Sequence, residues 1–82
     1  MVKVRLFASL REAAGQAEIE LPWQDTSCSR AVFDELASRF PALERFRPIT
    51  LIAVNEVYAN WETPVAPGDR IAFFPPVSGG LS

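Results

Sequence analysis

The sequence predicts an α+β fold in which one main helix packs across a mixed sheet. Three observations lead to this prediction. The 82 residues, of which 49% are hydrophobic and 22% charged, are enough for one globular domain of ordinary composition. Several short segments alternate apolar and polar residues with the period of two that half-buried strands show. One segment that ends before Pro41 has apolar residues at helical spacing, and because no second long helix is predicted, a sheet must cover them.

The first half of the chain predicts two strands and the main helix. Residues 2–8 (VKVRLFA) and Glu18–Leu21 alternate with period two, and residues 9–15 between them form a short helical turn that a glycine ends. The main helix ends at Phe40, because Pro41 disfavours helical backbone at the residue before it. Its predicted apolar face consists of Val32, Phe33, Leu36, Ala37 and Phe40. Four side chains offer N-cap oxygens, and the sequence does not select among Asp25, Thr26, Ser27 and Ser29.

The second half predicts a linker and three further strands. These are, in order, a linker at 42–48 and strands at 49–54, 57–58 and 70–74. Residues 64–69 (PVAPGD) have the composition of a turn, and Pro75 and Pro76 end the last strand because neither can donate a ladder hydrogen bond. The predicted order of strand, strand, helix, strand, short strand, strand is that of the β-grasp, or ubiquitin-like, fold.

Charge and residue usage exclude several classes of function. Ten acidic and eight basic residues give a formal net charge of −2, which argues against a nucleic acid or an anionic membrane as the partner. The absence of histidine removes Ser-His-Asp and Cys-His catalysis and histidine-ligated zinc. We therefore expect no metal and no cofactor bound by this chain. A single cysteine, Cys28, and the lack of any apolar run near the ~18 residues of a membrane span predict a cytoplasmic location.

The C-terminal segment is the most informative part of the sequence. We predict a β-grasp domain over residues 1–76 and a flexible tail, 77–82, that carries Gly79 and Gly80. Glycine lacks a Cβ and can pass through a narrow channel, and the extended backbone that the two preceding prolines favour projects the tail away from the sheet. From the two glycines alone, an ordinary frayed terminus is the preferred interpretation.

The longer C-terminal stretch reverses that preference. Residues 65–80 (VAPGDRIAFFPPVSGG) closely resemble the C-terminus of the molybdopterin synthase small subunits (the MoaD family), in which a turn, a strand ending in FFPPV and a Gly-Gly pair recur. The opening strand VKVRLFA with the following Arg11 and Glu12 resembles the start of that family, and residues 53–55 resemble its central strand. The resemblance spans nearly the whole chain and implies the ubiquitin-like fold.

The resemblance implies a sulfur carrier. In the family, a partner enzyme that uses ATP adenylates the C-terminal glycine, which is then converted to a thiocarboxylate. The loaded tail enters the large subunit of molybdopterin synthase and supplies sulfur for the molybdopterin dithiolene. By position Gly80 would bear the sulfur and Gly79 would be its slender neighbour. The catalytic residues would then lie in the partner, and this chain would be a non-catalytic subunit.

Two other functions stay open. One is a carrier of the same fold that serves thiamine, cysteine or tRNA thiolation. The other is a non-catalytic ubiquitin-like binding module with an inactive tail, which Leu81 and Ser82 favour because they follow Gly80 and leave it without a carboxylate. These two residues have three explanations: removal by a protease, addition during cloning, or loss of carrier activity. We expect removal by a protease.

Residue parity predicts a surface for the protein partners. Phe7 in the first strand and Phe74 in the last share the parity of the charged residues, so both are expected to face away from the helix as an aromatic patch that Tyr58 extends. Arg11 is placed at its rim, where it can pair with an acidic group. The remaining predicted partner contacts are Pro75, Pro76 and Val77. The alternative from the pattern alone is that loops of this chain cover the aromatic side chains.

Overall fold

The computed structural model describes residues 1–76, which form seven strands, two α-helices and a 3-10 helix. In chain order the elements are β1 (Val2–Leu6), α1 (Ala8–Ala14), β2 (Glu18–Leu21), β3 (Ser27–Cys28), α2 (Ser29–Arg39), the 3-10 helix (Pro41–Ile49), β4 (Leu51–Val54), β5 (Val57–Ala59), β6 (Pro64–Val65) and β7 (Arg70–Phe74).

The main sheet is mixed, as the sequence predicts. Its spatial order is β2-β1-β7-β4-β5, with β7 in the centre. β1 and β7 are parallel, in a register that pairs Lys3 with Arg70 and Leu6 with Phe73, and the other neighbours are antiparallel. The first strand, β1, therefore lies beside the last strand, β7, which leads directly into Pro75.

The core lies between this sheet and α2. Phe33 of α2 is fully buried, and its ring meets the ring of Phe73 edge to face at a centroid distance of 5.2 Å. One helix thus packs across the sheet, which is the predicted β-grasp arrangement. The core side chains are Val2, Val4, Leu6, Leu10, Ile19, Leu21, Val32, Phe33, Leu36, Leu43, Ile52, Val65, Ile71 and Phe73.

The start of α2 differs from every predicted N-cap. The N-cap is Cys28, which makes no side-chain capping hydrogen bond. Instead the backbone N–H and the hydroxyl of Ser29 both donate to the carbonyl oxygen of Thr63, at 3.0 and 3.2 Å, and the N–H of Arg30 donates to Trp61 at 3.0 Å. A distant loop therefore satisfies the first donors of the helix, so a local capping side chain is not required.

Several predicted boundaries were wrong. The predicted linker 42–48 is a 3-10 helix, which begins with Pro41 because a proline is tolerated in a first helical turn. This helix extends to Ile49, so β4 is shorter than the predicted strand 49–54. β1 ends at Leu6 rather than at residue 8. The predicted short helical turn at 9–15 is confirmed as α1 with Gly15 as its C-cap, except that the helix begins one residue earlier, at Ala8.

The small β3–β6 ladder was not predicted at all. It pairs Ser27 with Val65 and Cys28 with Pro64, two segments that the sequence assigns to a cap and a turn. Among residues 1–76 no helix is both long and apolar enough to cross a membrane.

Candidate functional site

The alternation of β7 divides its side chains between the core and the opposite face of the sheet. Ile71 and Phe73 are buried against α2, whereas Ala72 and Phe74 lie on the face that α2 does not cover, called here the outer face. This division confirms the predicted parity of the last strand. It leaves an aromatic side chain on the outer face immediately before the two prolines.

Phe7 lies beside Phe74 on the outer face. Because Leu6 pairs with Phe73 in the parallel register, the next residue of each strand is also adjacent, and the N–H of Phe7 donates to the carbonyl oxygen of Phe73 at 3.3 Å. Phe7 is 38% exposed. The two aromatic side chains border an open and almost wholly apolar groove, which is lined by Phe7, Ala8, Ala72, Phe74, Pro75 and Pro76.

Two residues of the neighbouring strands enlarge this surface. Leu51 of β4 is the register partner of Phe74 and is 40% exposed. Tyr58 of β5 is 80% exposed, and its ring centroid lies 6.1 Å from that of Phe74. The apolar patch is therefore defined as the groove residues together with Leu51 and Tyr58. Over residues 1–76 no loop covers it, contrary to the alternative that the chain's own loops hide the aromatics.

The sequence analysis identified only part of the apolar patch. It missed Leu51, Ala8 and Ala72. The sequence carried no alternation signal for Leu51, because residues 51–54 (LIAV) are all apolar, and its outward direction follows from its register with Phe74. No signal pointed to Ala8, which was placed in a strand but is the first residue of α1.

The rest of the outer face is charged. The Arg5 Nε lies 3.5 Å from Glu18 Oε2, and the Arg70 Nη2 lies 3.8 Å from Glu56 Oε2. Lys3, the register partner of Arg70, has no carboxylate within 4 Å among the described residues. These exposed pairs contribute little to stability. The outer face thus has an apolar half at the end of β7 and a charged half at its beginning. Such a patch with a polar rim is typical of a surface that binds another protein.

The backbone of Arg11, which is predicted to lie at the rim, is joined to Phe7. Arg11 is exposed on α1, and its backbone N–H donates to the carbonyl oxygen of Phe7 at 3.4 Å. No carboxylate in the described part of the chain lies within salt-bridge distance of its guanidinium. The guanidinium is available to an acidic group of a partner.

An aromatic cluster supports the patch from the core side. Trp61 packs against Phe73, with ring centroids 6.2 Å apart and 24° between the planes. The Arg47 guanidinium lies over the rings of Phe33, at 4.8 Å, and Trp61, at 5.7 Å. Hydrogen bonds from this guanidinium, chiefly to the Glu44 carboxylate, raise the pKa of Arg47 above its usual range against the opposing effect of burial. The strand that carries the patch therefore packs on an aromatic cluster that the Arg47 guanidinium covers.

The turn that presents Tyr58 is held by a polar contact to β7. Asn55 accepts a hydrogen bond from the N–H of Arg70 at 3.0 Å and donates one to the Asp69 carboxylate at 3.1 Å. The N–H of Ala66 donates to the same carboxylate at 2.8 Å, and this bond, followed by that from Asn55, lowers the pKa of Asp69. These contacts fix the β4–β5 hairpin beside the last strand.

The structure brings together five of the nine predicted site residues in the apolar patch and joins the backbone of Arg11 to one of them, Phe7. The five are Phe7, Tyr58, Phe74, Pro75 and Pro76. The predicted residues Val77, Gly79 and Gly80 lie outside the described residues. The apolar patch thus includes the residues that directly precede, in the sequence, the segment with the two glycines.

Comparison with known proteins finds one family and several relatives that match nearly the whole chain. The ThiS family model matches residues 4–80. The molybdopterin synthase sulfur carrier subunit of Haemophilus influenzae is 39% identical over 84 residues, which cover 98% of this chain and 100% of that protein. The crystal structure of SAMP1 from Haloferax volcanii superposes with a TM-score of 0.82 at 31% identity, over 96% of this chain and 98% of that chain.

A further solved structure contains a partner. It is the complex of subunits 1 and 2 of molybdopterin-converting factor from Helicobacter pylori 26695, with a TM-score of 0.66 at 25% identity over 96% of this chain and 97% of that chain. The family match covers nearly all of the sequence, and the sulfur carrier relative matches over its whole length. The chain therefore belongs to the ThiS family, together with the molybdopterin synthase sulfur carrier subunits.

Proposed function

We propose that this chain is the sulfur carrier subunit of a molybdopterin synthase and that Gly80 carries the sulfur as a thiocarboxylate. The observation that supports this most directly is the apolar patch at the root of the segment that bears Gly79 and Gly80. The similarity to a sulfur carrier subunit over the whole length of both chains supports it as well.

The proposed thiocarboxylate formation begins with activation, because a free carboxylate is a poor electrophile. In the proposed sequence an oxygen of the Gly80 carboxylate attacks the α-phosphorus of ATP on an activating enzyme, and pyrophosphate leaves. A sulfide equivalent delivered by that enzyme then displaces AMP from the acyl carbon and forms the C–S bond. The product carries a nucleophilic sulfur at the end of the chain. The activating enzyme binds the ATP, so this chain needs no cofactor of its own.

Docking would occur through the outer face. The apolar patch would bury Phe7, Phe74 and Tyr58 against the large subunit of molybdopterin synthase, with Arg11 paired to an acidic group at the rim. The same patch would meet the activating enzyme at another step, because both partners must take up the segment that starts after Pro76. The Helicobacter pylori complex supports a second subunit as the partner. The free thiol of Cys28 is consistent with a cytoplasmic setting.

The carrier chemistry requires a free carboxylate on Gly80. Leu81 follows Gly80 in the sequence, so the peptide bond between them must be hydrolysed first. We propose that a protease removes Leu81 and Ser82. The leucine side chain would otherwise have to pass through a channel shaped for glycine.

The test is sulfur loading of a chain that ends at Gly80. We expect incubation with the activating enzyme, ATP and a sulfide source to raise the intact mass by the difference between one sulfur and one oxygen. The loaded chain is then expected to convert a molybdopterin precursor when the large subunit is added. The full chain with Leu81 and Ser82 and the Gly80→Ala variant are the controls, and neither should support transfer. A trimmed chain that gains no mass would contradict the proposal.

A sulfur carrier for another thiolation pathway is the second candidate. The match to the ThiS family as a whole favours it, because that match covers residues 4–80 without naming a substrate. The two candidates differ in the acceptor. A loaded chain that transfers sulfur with the partners of thiamine, cysteine or tRNA thiolation, but not with the molybdopterin synthase large subunit, would support the second.

A further inference from the structure

Ala8 adopts a backbone conformation that alanine rarely takes. Its φ is +52°, in the left-handed region, where the Cβ of an L-residue crowds the following carbonyl oxygen. Elsewhere in residues 1–76, Gly15 and Gly68 take such angles without a Cβ, and Asn55 and Glu56 take them in the β4–β5 turn. Ala8 is the first residue of α1, directly after the N-cap Phe7, and it lines the groove of the apolar patch. A strained residue at a proposed binding surface calls for a functional explanation.

The hydrogen bonds around Phe7 show what holds this conformation. The Phe7 N–H donates to the carbonyl oxygen of Phe73 at 3.3 Å, which ties Phe7 to β7. The Phe7 carbonyl oxygen accepts from the N–H groups of Leu10, at 3.1 Å, and Arg11, at 3.4 Å, which ties it to α1. Both sides of Phe7 are therefore fixed, and the left-handed turn at Ala8 lets the extended strand pass directly into the helix.

The turn also determines how the aromatic ring is presented. Phe7 keeps an extended backbone, with φ −125° and ψ 150°. Its side chain therefore points to the same face of the sheet as that of Arg5, two residues earlier, which is the outer face. The Arg5 guanidinium lies 5.2 Å from the centre of the Phe7 ring. A residue 8 with negative φ would send the chain in another direction after Phe7. The bonds from Leu10 and Arg11 would then be lost, and with them the relation between Phe7 and Arg11.

We propose that Ala8 is a positioning residue, whose left-handed conformation holds Phe7 and Arg11 in their binding arrangement before a partner arrives. The inference rests on the proposed docking of the large subunit. Its energetic basis is preorganisation, since contacts that are ordered beforehand lose less conformational entropy on binding. The backbone angle of residue 8, rather than the bulk of its side chain, is the functional property.

The experiment compares Ala8→Gly, which accepts positive φ, with Ala8→Val, whose β-branched side chain opposes it. Amide hydrogen exchange of the full chain is followed by NMR, with the Val4 amide in the same strand as an internal reference. We expect Ala8→Val to speed exchange of the Phe7 amide about 10-fold relative to Val4, and Ala8→Gly to leave that ratio within about two-fold of the original. Ala42→Val, at an exposed site on the 3-10 helix, is the matched control.

The second measurement is the affinity of the trimmed chain for the large subunit by calorimetry. We expect Ala8→Val to bind about 10-fold more weakly than Ala8→Gly, because the two variants differ in whether residue 8 accepts positive φ. Unchanged affinity and Phe7 exchange in Ala8→Val would overturn the proposal, as would an Ala8→Gly variant that behaves like Ala8→Val.

Two further outcomes are decided by the same design. If Ala8→Val does not fold, a chain with D-alanine at position 8, made by peptide ligation, replaces it. D-alanine favours positive φ, so Phe7 exchange should be equal or slower, and faster exchange would overturn the proposal. If the parent chain does not bind the large subunit, the proposed function fails, while the exchange measurement still decides the role of Ala8.

Discussion

Phe73 and Phe74 are consecutive residues of β7 that lie on opposite faces of the sheet. The Phe73 ring is fully buried and packs edge to face on Phe33, at a centroid distance of 5.2 Å. The Phe74 ring lies on the outer face, 6.1 Å from the Tyr58 ring. One side chain contributes to stability, and the other is proposed to contribute to recognition. Substitutions at the two positions are therefore expected to give different phenotypes.

Phe73→Ala should destabilise the fold. Loss of a fully buried phenylalanine costs about 3–5 kcal/mol, through the transfer free energy of the lost atoms and the cavity that remains. The free energy of unfolding measured in urea gives the value. Phe74→Ala is the matched control and should cost about 1 kcal/mol or less, because its side chain is only partly buried. Equal losses for the two variants would contradict the division between faces.

Phe74→Arg should separate binding from stability. A guanidinium in the centre of the apolar patch would have to be desolvated in the complex, so we expect the affinity for the large subunit to fall at least about 10-fold. Calorimetric titration measures the affinity, and thermal unfolding should change little. Ile49→Arg introduces the same charge at a half-exposed position of the 3-10 helix and should bind normally. An unchanged affinity for Phe74→Arg would show that the patch is not the interface.

Glu56→Gly should stabilise the protein. Asn55 and Glu56 form the two-residue connection of the β4–β5 hairpin with φ of 51° and 70°, and the second position of such a turn favours glycine. We expect a gain of about 0.5–1 kcal/mol in the free energy of unfolding, because the lost 3.8 Å pair with Arg70 is exposed and weak. Glu56→Ala loses the same carboxylate but retains the strain, so it should not stabilise the chain.

Asp69 should make stability depend on pH in the acid range. The N–H of Ala66 and the amide of Asn55 stabilise its carboxylate in the folded state, so its folded pKa lies below its unfolded value. This contribution is present above the unfolded pKa and is lost as the pH falls through the folded pKa. The midpoint temperature of thermal unfolding, measured as a function of pH, should therefore fall less below about pH 4 for Asp69→Asn than for the parent chain.

The stability of Asp69→Asn should still depend on pH in the acid range. The pKa of Glu44 is also lowered, chiefly by its hydrogen bond from Arg47, and this second carboxylate contributes in the same direction. An Asp69→Asn variant whose pH dependence equals that of the parent chain would contradict the assignment.

Arg47→Lys should weaken the aromatic base of the patch. The planar guanidinium covers Phe33 and Trp61 and bonds to Asp34 and Glu44, whereas an ammonium cannot reproduce both kinds of contact. We expect a loss of about 1–2 kcal/mol in the free energy of unfolding by denaturant titration.

Arg39→Lys provides the control for Arg47→Lys. The Arg39 guanidinium pairs with Glu35 on the exposed side of α2. Its replacement should lower the free energy of unfolding by less than about 0.5 kcal/mol. A loss at position 47 no larger than this would contradict the role of the aromatic contacts.

Local patterns in the sequence predicted those features that depend on period and parity. The alternation of β1 and β7 placed Phe7 and Phe74 outward, and the apolar stripe of α2 placed Phe33 against the sheet. The same patterns predicted the β-grasp order, and the resemblance in residues 65–80 predicted the family. The predictions of side-chain direction were correct because that direction in a regular element follows from spacing along the chain.

Long-range contacts decided the features that the sequence analysis missed. The loop carbonyls of Trp61 and Thr63 set the beginning of α2, so no local cap marks it. The hydrogen bond from the Phe7 N–H to the Phe73 carbonyl oxygen, together with the bonds that the Phe7 carbonyl oxygen accepts from α1, supports the left-handed conformation at Ala8, which alanine alone does not favour. The sequence by itself determined which residues face the core and which family the chain resembles. Only the tertiary structure decided where elements begin and how the patch is assembled, because those contacts join residues far apart in the chain.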